Sequence, residues 1–528
     1  MGGLQIGRRR FYDADPGDGI CRSAPGNACT LRAAIEEANA TAASDTVSVP
    51  AGTYTLPLGM LAVSGGTLTV AGAGMDSTII QASADPATVS HRVFEIAAGT
   101  ITIRRLTVRH GHPVGAVPEI TGGGLAVHGG NVRLDQLRLL NNRIDYVVGG
   151  QVFTGRGGGL HVDGTNTGQA SVAITNSIIE DNRAPFGAGI FCTGRDGPVT
   201  LQIVNSTIQE NTSPFRGGGV MTAGCDLIIE RSTLARNAAT AAGGGLDNVA
   251  LGSGSPQGSV RLTNVTISGN KTDGDDAGPT GTSFVGGGGM FLHATSHLTT
   301  LDHVTFSNNR SRTRSGHSMV LRFGSSTSER LRLQNTLIAH QEASSPNCEF
   351  PESPNHVQLV TTLGGNVEFP GQSCIVNSPP AGTRDAFNLD PLLLPLASNG
   401  GPTQTHALPK RSPVLDLIRT QDCEPIDQRG TTRPQDGDLD GIARCDPGAY
   451  ELKEPDVGTF SLAPASPSVA IGQRHAAVLT WTAPNVDLTI GLGFRPPTKG
   501  RTFAVEVAAT EDGASQGFAP AGTIAVER

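Results

Sequence analysis

The chain has 528 residues, 37% hydrophobic, 4% aromatic and 16% charged, with 70 Gly, 33 Pro and a formal net charge of −8. Short aliphatics with Gly, Ser, Thr and Asn suit thin stacked strands and exclude a helical bundle or coiled coil, and glycine without an every-third-residue register excludes collagen. A net acidic chain is no general nucleic-acid binder, and no apolar run nears the ~20 residues of a membrane-spanning helix.

Residues 1–56 read as an N-terminal cap. The opening MGGLQIGRRR lacks the apolar core of a leader, which we read as a chain that begins after a removed leader. In CTLRAAIEEANA (29–40), Leu31, Ala34, Ile35 and Ala38 share one helical face, so the spacing predicts an amphipathic helix capping the first coil of the chain's repeats. Eight cysteines fall into local pairs, Cys21–Cys29, Cys192–Cys225, Cys348–Cys374 and Cys423–Cys445, with no CxxC or zinc spacing. That pattern points to four disulfides and an oxidising compartment, against the alternative of a cytosolic chain with unpaired thiols.

Residues 57–345 carry a repeat. Segments such as VAITNSIIEDN, LQIVNSTIQEN and VRLTNVTISGN align on Arg105, Gln136, Asn176, Asn205, Arg231, Asn264, His303 and Asn335. Two residues before each anchor and three after it, all eight segments are apolar. Six after it, the column reads Gly111, Asn142, Asn182, Asn211, Asn237, Asn270, Asn309 and Gln341. Glycine runs ending in an aliphatic separate the repeats. Anchor spacing varies from 26 to 40 residues while the internal pattern holds.

A fixed pattern with variable insertions means one coil per repeat. The expected fold is all-β: a right-handed parallel β-helix with an N-terminal capping helix and a small C-terminal β-sandwich. Coils ~4.8 Å apart stack like residues into ladders. The Asn column is expected at a corner, bonding neighbouring coils and tolerating a left-handed backbone.

Residues 346–452 read as a capping module, 453–464 as a Pro-rich linker, and 465–528 as a β-sandwich around Trp481. Within the module, Asp436, Asp438 and Asp440 alternate before Gly441, like the front half of an EF-hand loop, with the Ile442 carbonyl next and Asp446 as a late carboxylate. The loop reads either as a structural calcium site or as an acidic turn held by Cys423–Cys445. Five residues after the anchors, Asp181, Glu210 and Arg236 would lie on successive coils. They read either as a candidate catalytic set of two acids and an arginine or as a self-neutralised solvated corner. His161-Val162-Asp163 and Arg109-His110-Gly111-His112 carry a weaker signal.

Cys29-Thr30-Leu31-Arg32-Ala33-Ala34-Ile35, with Ala38-Asn39, resembles a bacterial family whose N-terminal motif reads Cys-Ser-Leu-Arg-Glu-Ala; Thr30 and Ala33 depart from it. NLDPLLLPLASNGGPTQTHALPKRSPVLDLI and DQRGTTRPQDGDLDGIARCDPGAYE resemble the choice-of-anchor Q module that closes many secreted bacterial β-helix proteins. The two resemblances imply a secreted or surface-exposed protein and no particular reaction. The leading expectation is therefore a monomeric, rigid face for adhesion or glycan binding, with an extracellular polysaccharide or cell-surface ligand as partner. The alternative is a calcium-assisted polysaccharide lyase or glycosidase, pectate-lyase-like, acting on an acidic polysaccharide.

Overall fold

The computed structural model describes residues 12–453, apart from 25–26, 42, 89, 115–119, 146, 149–150, 153–154, 250–257, 274–284, 294–297, 313–315, 323–327, 341–345 and 352–357; in 459–525 it describes the strand backbones. Two compact units result, Met1–Gln435 with Ala443–Leu452, and Asp436–Ile442 with Lys453–Arg528.

The first unit is a parallel β-solenoid. A nineteen-stranded sheet supplies two faces and a ten-stranded sheet a third. The first face runs through Ser44–Val49, Thr67–Gly72, Ala170–Thr175, Val199–Val204 and Asp226–Glu230 to Val360–Gly364. The second runs from Gly52–Thr55 through Ile178–Glu180, Thr207–Gln209 and Thr233–Ala235 to Ala386–Phe387. The third runs from Leu61–Val63 through Leu125–Val127, Leu160–Val162 and Ile190–Thr193 to Cys348–Glu349.

Parallel pairing places the same repeat position on itself, coil after coil. Ile174 lies between Leu134 and Ile203, and Ile203 faces Ile229. Both apolar columns of the repeat are buried throughout. A side chain so enclosed contributes roughly 1.5–3 kcal/mol, so the stacked columns carry most of the stability.

Corners are set by two left-handed residues per coil. All eight anchors have φ between 47° and 57°, and so, five residues on, do His110, Asn141, Asp181, Glu210, Arg236 and Asn308 at 51° to 58°. The Asn column itself is not left-handed, contrary to expectation. Its amides instead tie coil to coil. The side-chain oxygens of Asn182, Asn211, Asn237, Asn270 and Asn309 each accept both the backbone N–H and the Nδ2 of the preceding column member, at 2.9–3.1 Å. Each Nδ2 also donates to a carbonyl of the coil before, as Asn211 does to Ile179 at 2.9 Å. The residue before each Asn takes the left-handed turn that aims it inward. Gln341, the last member of the column, lies outside the described residues.

The glycine runs serve this ladder. A Cβ on Gly159, Gly189, Gly219 or Gly245 would stand 3.0–3.1 Å from the amide of Asn182, Asn211, Asn237 or Asn270. One residue after the anchors lies a second ladder, in which Ser177, Ser206 and Ser232 hydroxyls accept the N–H of Leu137, Ser177 and Ser206 at 3.0–3.1 Å.

The helix Leu31–Ala40 is capped by Thr30 and packs Leu31, Ile35 and Ala38 into the core. Asn39 bonds the Ala62 carbonyl (2.8 Å) and the Ser64 N–H (3.0 Å), so a side-chain amide satisfies part of an edge strand that would otherwise lie open. All four expected disulfides are present, with Cα separations of 4.9–6.2 Å.

Parallel pairing continues past residue 345: Val360–Gly364 and Val367–Phe369 pair with Leu331–Gln334 and Leu337–Ala339. Residues 388–435 and 443–452 then fold back over the second face from Thr233 onward. Gln428 is fully buried; its Oε1 accepts from Thr266 (2.7 Å) and its Nε2 donates to Thr233 (2.9 Å). His406 meets Ser268 at 2.8 Å, and Arg433 donates to Asn264 (2.8 Å) while pairing with buried Glu451 (3.0 Å). Leu408, Val414 and Leu415 seal against Leu337, Ala339 and Val367.

In the second unit, Thr459–Ala463, Ala477–Ala483 and Val486–Leu492 form an antiparallel sheet, and Thr502–Val507 pairs antiparallel with Ala519–Ala525. Its first strand thus falls within the stretch read as linker, and Thr510–Glu511 pairs antiparallel with Ala514–Ser515.

Asn211→Ala removes an acceptor from two buried donors of Asn182 and a donor from the Ile179 carbonyl. The expected cost is about 2–4 kcal/mol, a large single-site effect, checked by denaturant unfolding. Asn205→Ala, at a half-buried anchor position, should cost less than half as much.

Candidate functional site

Asp181, Glu210 and Arg236 occupy the left-handed corner after the second face, on successive coils, and all three are exposed. Arg236 donates from Nε to Glu210 (2.8 Å) and from Nη2 to Gln209 (2.7 Å). Gln209 donates to Glu180 (2.7 Å), which pairs with Arg138 (2.7 Å), and Arg138 reaches Asp76 (3.2 Å). Partial burial, then the charges of Glu210 and Glu180, push the Asp181 carboxyl up. The arginine's fork is therefore committed to its neighbours, in a chain of ion pairs along a solvent-facing edge. Such pairs contribute about 0–1 kcal/mol each.

The acidic loop belongs to the second unit and is internally bonded. Asp438 accepts from the N–H of Asp440 (3.0 Å), Asp436 from Gly441 (3.0 Å) and Asp440 from Ile442 (2.8 Å). Asp446 lies in the first unit, buried, and its two oxygens accept the N–H groups of Asp416 (2.9 Å) and Leu452 (2.7 Å). The loop thus keeps three carboxylates of the five proposed metal-site residues together, and Asp446 is occupied by backbone.

A denser cluster lies on the outer side of the third face, across three coils. Asp163 receives His161 Nε2 (2.9 Å), His128 Nδ1 (3.1 Å) and the Thr165 hydroxyl (2.7 Å). Burial pushes the Asp163 carboxyl up, but the bonds from His128 and His161 outweigh it and hold the group well below the usual carboxylate range. On its other side His128 Nε2 stands 3.6 Å from Glu95, which pairs with Arg92 at 3.4 Å.

Burial lowers the His161 pKa despite Asp163, so the ring is neutral and its Nε2–H donates. Its Nδ1 is left as a buried lone pair with no partner among the described residues. The ring stacks on Phe191 at 5.5 Å, and the Arg156 guanidinium sits 5.1 Å over the same phenyl. A similar pair joins His112 to Asp145 at 2.9 Å.

The sequence signal for this cluster was the period-two spacing of His161 and Asp163, which places both on one side of a strand. His128 stands three residues after the aliphatic Leu125, as Asp163 does after Leu160, so the two share a repeat position; Glu95 follows no glycine run, and only the fold brings it in. Chemically the cluster is a chain of alternating carboxylates and imidazoles, suited to orienting a base or passing a proton.

A further acid lies where the folded-back segment meets the solenoid. Asp302 accepts from His303 (2.8 Å), and burial raises its pKa to about 6 against the lowering pull of the Arg433 charge and of hydrogen bonds with Asn335 and Glu424.

No family model, curated protein or solved structure matches this chain.

Because the folded Asp302 binds its proton more tightly than an unfolded Asp with pKa near 3.9, stability contributed by this group is present at low pH and lost as pH rises through about 6. Asp302→Asn should therefore raise the unfolding free energy at pH 7.5 by about 1–3 kcal/mol and lose that gain by about pH 4. Urea unfolding at the two pH values checks this.

Proposed function

We propose that this is a secreted or cell-surface protein that presents one rigid solenoid face to an extracellular glycan or cell-surface ligand. The observation that carries the reading is a single outward column on the first face: Thr46, Thr69, Thr102, Arg133, Ala173, Gln202, Ile228, Arg261, Thr300, Arg332 and Thr361 stand in unbroken register. None of them is buried. Residues of the folded-back segment cover the second face from Thr233 onward, so the first is the face left open along the whole described solenoid. Regular rungs of hydroxyls punctuated by guanidinium groups match an extended polymer carrying hydroxyl and carboxylate groups.

Four disulfides support an oxidising compartment. Right-handed winding is the expected hand for parallel crossovers; the helix Leu31–Ala40 serves as the cap, and the antiparallel strands after Thr459 as the β-sandwich. The likeness to choice-of-anchor Q modules gains a physical reason, since His406, Gln428, Arg433 and Glu451 of that segment are the groups that dock it. Calcium, if held at Asp436–Asp440, is structural.

A second reading, an enzyme acting by proton transfer on acidic polysaccharide, is favoured by one observation, the Glu95–His128–Asp163–His161 chain. It moves the chemistry away from Asp181, Glu210 and Arg236.

The face reading predicts that the protein is retained on immobilised polygalacturonate or alginate. Arg133→Ala with Arg261→Ala should weaken retention at least about tenfold, the value of ~1.4 kcal/mol; retention equal to wild type refutes the face. Ultraviolet-absorbing unsaturated product, made by wild type and lost in His128→Ala but not in Glu210→Ala, establishes the second reading. Absence of product from wild type removes it.

A further inference from the structure

A cleft of about 330 Å³ opens between the last coil of the solenoid and residues 416–422 of the folded-back segment. Its size lies at the lower end of small-ligand sites, which begin near 300 Å³. Gly364, Gly365 and Gly382 line it with φ of 98°, 74° and 85°. At Gly365 a Cβ would lie 2.2 Å from Asn335 Oδ1, so that side chain is excluded and the backbone is exposed to the cleft.

The charged lining is Arg384, Arg419 and Arg444 against Asp416 and Asp422, an excess of one positive charge. Arg419 spends one edge of its fork on Asp422, through Nε (2.9 Å) and Nη2 (2.8 Å). Its Nη1 lies over Gly382, 3.1 Å from the position a Cβ would take there. Any side chain at Gly382 would crowd that nitrogen. Arg384 is exposed and makes no side-chain hydrogen bond or ion pair among the described residues. A guanidinium with both edges open is a ready fork for a carboxylate.

No aromatic side chain lines the cleft, so a neutral sugar would find no ring to stack on. Recognition must come from charge and hydrogen bonds. We propose that this cleft is a discrete binding site for one carboxylate-bearing sugar unit, a uronate, with Arg384 and Arg419 Nη1 taking the carboxylate. The site is separate from the first face and does not rest on the face binding glycan, although a polymer could use both.

The test is calorimetric titration of the full chain at low ionic strength with sodium galacturonate, galactose, sodium acetate and sodium sulfate. Galacturonate should bind, galactose should not, and acetate and sulfate should bind at least about tenfold more weakly. Arg384→Ala, at an exposed position that leaves the fold intact by circular dichroism, should weaken galacturonate at least about tenfold. Arg133→Ala on the first face should leave it unchanged. No galacturonate binding by wild type, or equal binding by Arg384→Ala, overturns the site. Sulfate or acetate binding as tightly as galacturonate overturns the sugar assignment and marks a general anion site. Failure of the first face appears separately, as loss of polymer retention with galacturonate binding intact.

Discussion

The structure depends on one constraint: a buried amide repeats at the same height on six successive coils, from Asn142 to Asn309. An Asn inside an apolar solenoid is costly unless every donor and acceptor is met. Within the ladder each Oδ1 takes two N–H groups from one neighbour, as Asn211 and Asn237 do, and each Nδ2 reaches a carbonyl as well as the next Oδ1, as in Asn182 and Asn211. Slipping one coil by a residue would strand several of these groups together. The ladder therefore works as a register lock, where aliphatic columns alone would tolerate sliding. The left-handed residue before each Asn and the glycine opposite it follow from the same demand, one aiming the amide inward and the other leaving it room.

Register then decides which surfaces remain for function. Once the coils are locked, the outward threonines of the second face, Thr233, Thr266 and Thr305, form an evenly spaced polar strip. The segment 388–452 is built to read that strip: Gln428 bridges Thr233 and Thr266, and the Ala449 N–H donates to Thr305 at 2.9 Å. A segment with almost no regular structure of its own is thereby held by hydrogen bonds and by the buried Arg433–Glu451 pair. Covering the second face from Thr233 onward leaves the first as the face open along its full length. The cleft beside Arg384 arises at the seam where the covering segment departs from the last coil.

Much of this was legible because in a solenoid a column in the alignment is a column in space. The eight apolar pairs, the Asn column and the glycine runs each map to one ladder. The four cysteine pairings could be read because each pair is local. What the alignment could not say is which residue of a corner carries the left-handed turn. Asn is permissive there, yet the turn falls on Asp181, Glu210 and Arg236, the residues just before it, because Asn must keep its amide inward. The serine ladder at Ser177, Ser206 and Ser232 hid among ordinary surface-looking polar residues. The continuation of the solenoid beyond residue 345 was hidden because Val360–Gly364 and Val367–Phe369 lack the repeat's Asn and glycine columns. The Glu95–His128–Asp163 grouping was illegible for a different reason: His128 and Asp163 share a repeat position that carries no common residue type in other coils, and Glu95 follows no glycine run and joins them only through stacking.

Stacking in strict register is therefore the central claim, and disulfide trapping tests it most directly. Ser171 and Thr200 are register partners on the outer side of the first face, whereas Gln202 lies two residues further along the same strand. The double variant Ser171→Cys with Thr200→Cys should cross-link readily under mild oxidation, since partners ~4.8 Å apart fall within disulfide reach. Ser171→Cys with Gln202→Cys should remain reduced. Equal cross-linking of both pairs, or of the second alone, would contradict the account.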